Sequence, residues 1–369
     1  MPPSDTRQHQ QHQRYKEDAM TKFRFPAAAV ATAATLLATA PAVAQDAAAF
    51  YKGKTVEVVI SYGAGGGYDI YGRLAARHIG AHIPGQPQVV VRNMPGAGGL
   101  NGANHLYNVA ARDGTVMGVI NQNAALGQAL DTKGIKYDVR KFTWVGRITS
   151  NVEVFHTWHA AGARSIQDAF TRELIAGGTG PTSSSVVMPR VMNQLLGTKF
   201  KVASGYKGAS DVVLAMERGE VHGAVRPWAV LKTQSADWLR DKKIDLLVQF
   251  ALERHPDLTN VPTAADLAKT EEAKKVLLLL ASGSSTGRSL VAPPSLSADR
   301  VKALRSAFDA TMKDPKLRDE AAKAKLELDA MPGDKLATVA ASVFDAPPAV
   351  IKKAAALTAR PKKKGKKKN

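Results

Sequence analysis

The segment Gly283-Ser284-Ser285-Thr286-Gly287 has the G-x-S-x-G spacing of a serine-hydrolase elbow and follows the apolar run Val276 to Leu280. Such an elbow holds its serine on a sharp strand-to-helix turn and needs a later histidine to take the proton. Here Arg288 to Pro294 reads as extended, ends in Pro293-Pro294, and the last histidine is His255. The pattern is not a nucleophile. The pairs His78/His82 and His156/His159 have no Glu or Asp at zinc-protease spacing, so they read as surface or partly buried histidines. Cysteine is absent, which removes disulfides, thiolate metal sites, a Cys nucleophile and a lipid-modified Cys.

The glycine run Gly63-Ala64-Gly65-Gly66-Gly67 invites a dinucleotide reading, but Tyr68 stands where the third fingerprint glycine belongs. No acid ends the next strand either, since Arg92 and Asn93 stand there. No cofactor and no metal is expected. What remains are three glycine loops: the one just named, Asn93-Met94-Pro95-Gly96-Ala97-Gly98-Gly99, and Gly177-Gly178-Thr179-Gly180-Pro181-Thr182-Ser183-Ser184. Each lies between a strand and a helix. Loops at the carboxyl ends of strands carry unpaired N–H groups, and the helix dipole behind them favours negative charge. The chemistry this supports is anion binding.

The elements that must position these loops follow from periodicity. Val56 to Ile60, Val89 to Val91, Thr115 to Ile120, Leu174 to Ala176, Phe200 to Val202, Val221 to Val225 and Leu246 to Phe250 read as strands. Helices are expected from Asp69, through Ala103 to Tyr107, after Ser184 to about Leu196, and from Asp211 to Arg218. From Ser297 onward the pattern is largely helical. Strands alternating with helices argue for an α/β fold whose sheets are mostly parallel and covered on both faces.

The net charge is +19, and seven of the basic residues sit in the tail Arg360 to Asn369. The other charges are scattered and not interleaved with aromatic residues, so no nucleic-acid partner is expected. Residues 1–19 are polar with balanced charge and read as an extension ahead of a true start at Met20. Lys22 and Arg24, the apolar stretch Ala27 to Ala40 and Ala42-Val43-Ala44 then form a signal peptide over 20–44, with a mature chain from Gln45. The apolar stretch is shorter than the about 20 residues that span a bilayer.

Six collinear segments resemble the receptor family of tripartite tricarboxylate transporters, the Bug receptors. Gly65-Gly66-Gly67-Tyr68-Asp69 is similar to the family's P-G-G-x-x-D loop, and Asn93 to Gly99 to its N-R-P-G-A-G-G loop. Asp113-Gly114-Thr115, Gly178 to Ser184, Tyr206-Lys207-Gly208 and Val261-Pro262-Thr263 resemble its D-G-Y/H-T, G-x-G-x-x-S/T, Y-K-G and D-V-P-T segments. The resemblance runs from about Phe50 to Leu357. It implies a two-lobed periplasmic-binding-protein fold of type II, with crossing strands as the hinge. Residues 45–147 and 255–359 would form one lobe and 148–254 the other, ahead of a disordered Lys-rich tail at 360–369. It also implies a monomeric periplasmic receptor, not an enzyme. Its partners would be a small carboxylate and the membrane components of a transporter, with a sensor kinase as the alternative.

Carried over residue by residue, the resemblance places Tyr62, Gly66, Gly67 and Asn121 on one side of the ligand and Thr179, Thr182 and Ser183 on the other. After the strand Val221 to Val225, Arg226-Pro227-Trp228 departs from the family's Asp- or Asn-bearing stretch. Arg226 reads either as a bidentate carboxylate partner or as an arginine exposed at a strand end, and Trp228 as an apolar wall of the cleft. An exported α/β hydrolase is the other functional class, but no nucleophile–base pair supports it.

Overall fold

A computed structural model describes residues 47–179, 183–206 and 209–359. The extension at 1–19, the signal peptide, Thr182 and the Lys-rich tail lie outside these residues. The strands are β1 (Thr55–Ile60), β2 (Gln88–Asn93), β3 (Val116–Val119), β4 (Thr143–Thr149), β5 (Glu153–Trp158), β6 (Leu174–Gly178), β7 (Phe200–Ser204), β8 (Gly223–Pro227), β9 (Ile244–Phe250), β10 (Arg288–Ala292) and β11 (Met331–Pro332). The helices that cover them include α1 (Gly67–Ile79), α2 (Leu100–Asn108), α3 (Ser184–Leu196), α4 (Ala209–Glu217), α5 (Trp228–Gln234), α6 (Glu271–Ala281), α7 (Ala298–Lys313) and α8 (Pro348–Thr358).

The strands make two sheets, ordered β11-β4-β10-β3-β1-β2 and β7-β6-β8-β5-β9. Both are mixed, which corrects the expectation of mostly parallel sheets. β1 runs parallel to β2 and β3, and β6 runs parallel to β7 and β8. Those strands are joined by helical crossovers, which parallel pairing requires. β10 is antiparallel to β3 and β4, and β5 is antiparallel to β8 and β9. The chain passes from the first sheet to the second between β4 and β5, so β5 enters its sheet without a helical crossover.

β1 forms because its Val and Ile residues are buried on both faces. Val56, Val58 and Ile60 pack with Leu74 of α1 and Leu304 and Phe308 of α7, while Val59 packs with Ala103 and Leu106 of α2. Close approach is built into the first sheet. A β-carbon on Gly146 would stand 2.1 Å from the Phe308 ring, so that ring lies directly on β4. A single apolar cluster holds Val59 and Trp144 together with Phe155, Val225 and Leu247 of the second sheet, Val191 of α3, Val276 of α6 and Val350 of α8.

Other boundaries also differ from expectation. The run Val276 to Leu280 is the interior of α6, whose start is capped by the Thr270 hydroxyl accepting from the Ala273 N–H at 3.2 Å. α1 starts at Gly67 with Gly66 as its N-cap, two residues before Asp69. Asp69 reaches back from the first turn to accept from the Gly65 N–H at 2.9 Å. Arg288 to Ala292 is extended, as the sequence indicates, so Ser285 is not followed by the helix that a nucleophile elbow needs. His78 and His82 meet Glu320 and Asp314 at 2.7 and 2.9 Å. His156 is an exception to the surface reading: it is fully buried. Among the described residues no helix is long and apolar enough to cross a membrane.

Candidate functional site

β6 ends in Gly177-Gly178, where the chain has room for nothing larger. A β-carbon on Gly178 would meet the Val186 side chain at 2.4 Å. α3 therefore starts hard against the strand end, with Ser183 as its extended N-cap. A pocket of about 170 Å³ opens here, lined by Gly177, Thr179, Ser183 to Ser185, Ala209, Val212 and Ala224 to Arg226. It collects the starts of two helices, α3 and α4, with the ends of β6 and β8. Ser183 and Ser185 share a hydroxyl hydrogen bond of 2.8 Å, and the Thr179 N–H donates to the Ser185 hydroxyl at 3.3 Å. Among the described residues the lining includes the hydroxyl-bearing Thr179 and Ser183 to Ser185 and the basic Arg226, and none of the lining residues is acidic. It can bind an anion.

Arg226 lies inside β8, paired with Val154 of β5. It is 8% exposed, so the exposed-arginine alternative is overturned. The strand runs two residues further than the apolar run indicates, and this carries Arg226 into the sheet. Its Nη1 donates to the Ser235 hydroxyl at 3.1 Å, and its guanidinium stands 5.9 Å from the Trp238 ring. Burial holds its pKa below the usual arginine value. His156 lies two residues along β5 from Val154, on the same face, and neither ring nitrogen has a well-formed hydrogen bond among the described residues. Burial, and then the Arg226 charge, push its pKa down to about 3, so it is neutral.

A second group of residues gathers at the start of α1. The Tyr62 and Tyr68 rings stack 4.1 Å apart, and the Arg288 guanidinium covers Tyr68 at 3.8 Å. Arg288 donates to Gln122 Oε1 at 3.0 Å and to Asn151 Oδ1 at 3.1 Å. A β-carbon on Gly67 would touch Arg288 at 3.4 Å, so Gly67 lies beside this buried charge, and Gly66 precedes it as the N-cap of α1. The Tyr62 hydroxyl and Asn121 Nδ2 both donate to the Gly98 carbonyl at 3.0 Å. That carbonyl is available because Gly96, Gly98 and Gly99 all take positive φ, which explains the glycine spacing of the second loop. Burial raises the Tyr62 phenol above its ordinary pKa.

Glu153 links the two groups. It opens β5 and accepts from the Ser184 hydroxyl at 2.8 Å, and Ser184 lines the pocket. Burial pushes its pKa up, and the Ser184 hydrogen bond and the Arg288 charge only partly oppose this.

Of the residues expected at the site, Thr179, Ser183 and Arg226 share the pocket. Tyr62, Gly66 and Gly67 gather with Arg288 at the start of α1, and Asn121 joins Tyr62 at the Gly98 carbonyl. Trp228 lines neither place. It is 7% exposed in the apolar cluster with Leu231 and Trp238, and its Nε1 donates to Asp257 at 3.1 Å. Ser184, Ser185, Glu153, His156 and Arg288 were not singled out as site residues. The serine run after Thr182 was the available signal for the first two. Among the described residues, His255, Asp257 and Glu327 could bring three metal-ligating atoms together. The Lys232 ammonium already serves that cluster, donating to Asp257 at 2.6 Å and to Glu327.

Comparison with known proteins gives one family. Residues 73–355 match the model of the tripartite tricarboxylate transporter family receptor, TctC. A UPF0065 protein from the gbd 5′ region of Cupriavidus necator is 28% identical over 335 residues, covering 88% of this chain and 94% of that one. Among solved structures, a TctC solute-binding protein from Polaromonas superposes with a TM-score of 0.62 at 18% identity, over 82% of this chain and 98% of that one. MatC from Rhodopseudomonas palustris, solved with bound malate, gives 0.57 at 19% identity, over 82% and 99%. Another R. palustris protein, solved with adipate, gives 0.60 at 18% identity, over 83% and 97%.

Proposed function

This chain belongs to the tripartite tricarboxylate transporter receptor family, and from that premise we propose that it captures a small carboxylate between its two sheets and delivers it to the membrane components of such a transporter. The observation that carries this reading is the pocket at the ends of β6 and β8, where two helix starts, hydroxyl-bearing residues and Arg226 converge and no described lining residue is acidic. Donors so arranged favour a negatively charged oxygen. The relatives solved with malate and adipate support the same ligand class. In this reading Thr179, Thr182, Ser183 and Arg226 contact the ligand from one side. Gly66, Gly67, Tyr62 and Asn121 do so from the other. The protein is exported through residues 20–44, acts in the periplasm as a monomer, and turns nothing over.

Thermal melts of the mature chain with mono-, di- and tricarboxylates test this. Ligand at a hundredfold excess over its dissociation constant stabilises the native state by about 2.7 kcal/mol. A rise of several degrees with at least one carboxylate is expected. No rise with any of them, or hydrolysis of generic ester and phosphate substrates, would overturn the reading.

A further inference from the structure

The buried arginines of this protein are not held alike. Arg147, 6% exposed, donates to Asp329 Oδ2 at 2.8 Å, to the Asp329 carbonyl at 3.0 Å and to the Ser285 carbonyl at 2.6 Å. Arg288, 7% exposed, has two side-chain amide oxygens and a tyrosine face. Arg226 is as deeply buried, yet among the described residues it has one hydroxyl partner and no carboxylate. A guanidinium carries five N–H donors, and a buried charge left without a counter-ion is costly to the fold. On the neighbouring strand Val154 pairs with Arg226 and the neutral His156 follows two residues on, while Glu153, which alternates to the other face, is engaged by the Ser184 hydroxyl.

The same residue lines a pocket whose other polar groups are hydroxyls and backbone. At about 170 Å³ the pocket is smaller than the roughly 300 Å³ at which sites for whole ligands begin, so it fits one end of a ligand. We propose that Arg226 is the charge-reading residue of this receptor, donating paired hydrogen bonds to an anionic end of the ligand, a carboxylate, seated between the starts of α3 and α4. The ligand supplies the counter-ion that the fold omits. This rests on the reading of the chain as a carboxylate receptor, and it adds that recognition at this end depends on formal charge and on the planar guanidinium fork.

The test measures apo melting temperature and calorimetric affinity for native protein, Arg226→Gln and Arg226→Lys, with succinate, malate, glutarate and adipate as probes. For the tightest probe, Arg226→Gln is expected to lose at least tenfold in affinity, while its apo melting temperature stays level or rises. Arg226→Lys should recover part of the affinity, since it keeps the charge and loses the fork. Affinity of Arg226→Gln within twofold of native would overturn the inference. So would a lower apo melting temperature with equal affinity losses in both variants, which marks a structural arginine. If native protein binds none of the probes and no other carboxylate, the receptor reading fails, and the inference with it. Tight native binding that Arg226→Gln leaves intact removes the inference alone.

Discussion

Removing His156 should make the fold less sensitive to acid. The imidazole is fully buried, and neither of its nitrogens has a well-formed hydrogen bond among the described residues. Its pKa is about 3 in the folded chain against the ordinary 6.5, because burial and the Arg226 charge both oppose protonation. Below pH 6.5 the unfolded chain therefore binds a proton that the folded chain refuses. Each pH unit of that difference is worth about 1.4 kcal/mol. Stability from this group is complete above pH 6.5 and is lost as pH falls toward 3, reaching a loss of about 2 kcal/mol by pH 5. Urea unfolding of native protein and His156→Leu at pH 7, 6 and 5 isolates the effect. Glu153 works in the other direction, since its raised pKa makes the folded chain the better proton binder as pH falls. That contribution is expected in both proteins and cancels in the comparison. The native chain should lose about 2 kcal/mol more than His156→Leu between pH 7 and 5. Equal losses would refute the buried neutral imidazole.

Two other substitutions test the packing and the pocket. Gly146→Ala places a β-carbon 2.1 Å from the Phe308 ring, so it should cost about 1–3 kcal/mol in urea unfolding, and Phe308→Leu in the same chain should recover part of it. Ser183→Ala removes a hydroxyl from the pocket and should weaken carboxylate binding roughly tenfold by calorimetry, since hydrogen bonds to charged groups contribute about 1.5–3 kcal/mol.

The parts of the fold that could be read from sequence are those whose cause is local. Val56 to Ile60 is a strand because it is apolar and β-branched, and the loop after β2 is a loop because Gly96, Gly98 and Gly99 take positive φ. β4 and β5 gave no such signal. Gly146 and Arg147 interrupt β4, and Glu153 and His156 interrupt β5. Arg147 is tolerated in a buried strand because Asp329, 182 residues away, meets it, and no window of sequence contains that partner. The apolar run Val276 to Leu280 left its element type open. In α6 the exposed Glu271, Glu272, Lys274 and Lys275 lie ahead of five apolar residues in a row, Val276 to Leu280, which on their own show no helical period.

The site divides in the same way. Thr179 and Ser183 are visible as hydroxyls beside a glycine turn at a helix start. Arg288 is not visible, because its partners Asn151 and Gln122 lie 137 and 166 residues away. Arg226 is visible as a charge, but its burial follows only from its register with Val154. Trp228 shows the converse. Its place next to Arg226 in sequence suggests a shared cleft, yet α5 begins at Trp228 and turns it into the apolar cluster with Leu231 and Trp238.

The central claim is that a carboxylate sits between the two sheets, and a crystal structure grown with the tightest-binding acid tests it most directly. The expected density has a carboxylate within hydrogen-bond distance of the Thr179 and Ser183 side and of Arg226, with the Gly66-Gly67 backbone on the ligand's opposite flank. Density for the acid elsewhere on the chain, with the pocket at the ends of β6 and β8 filled only by water, would contradict it.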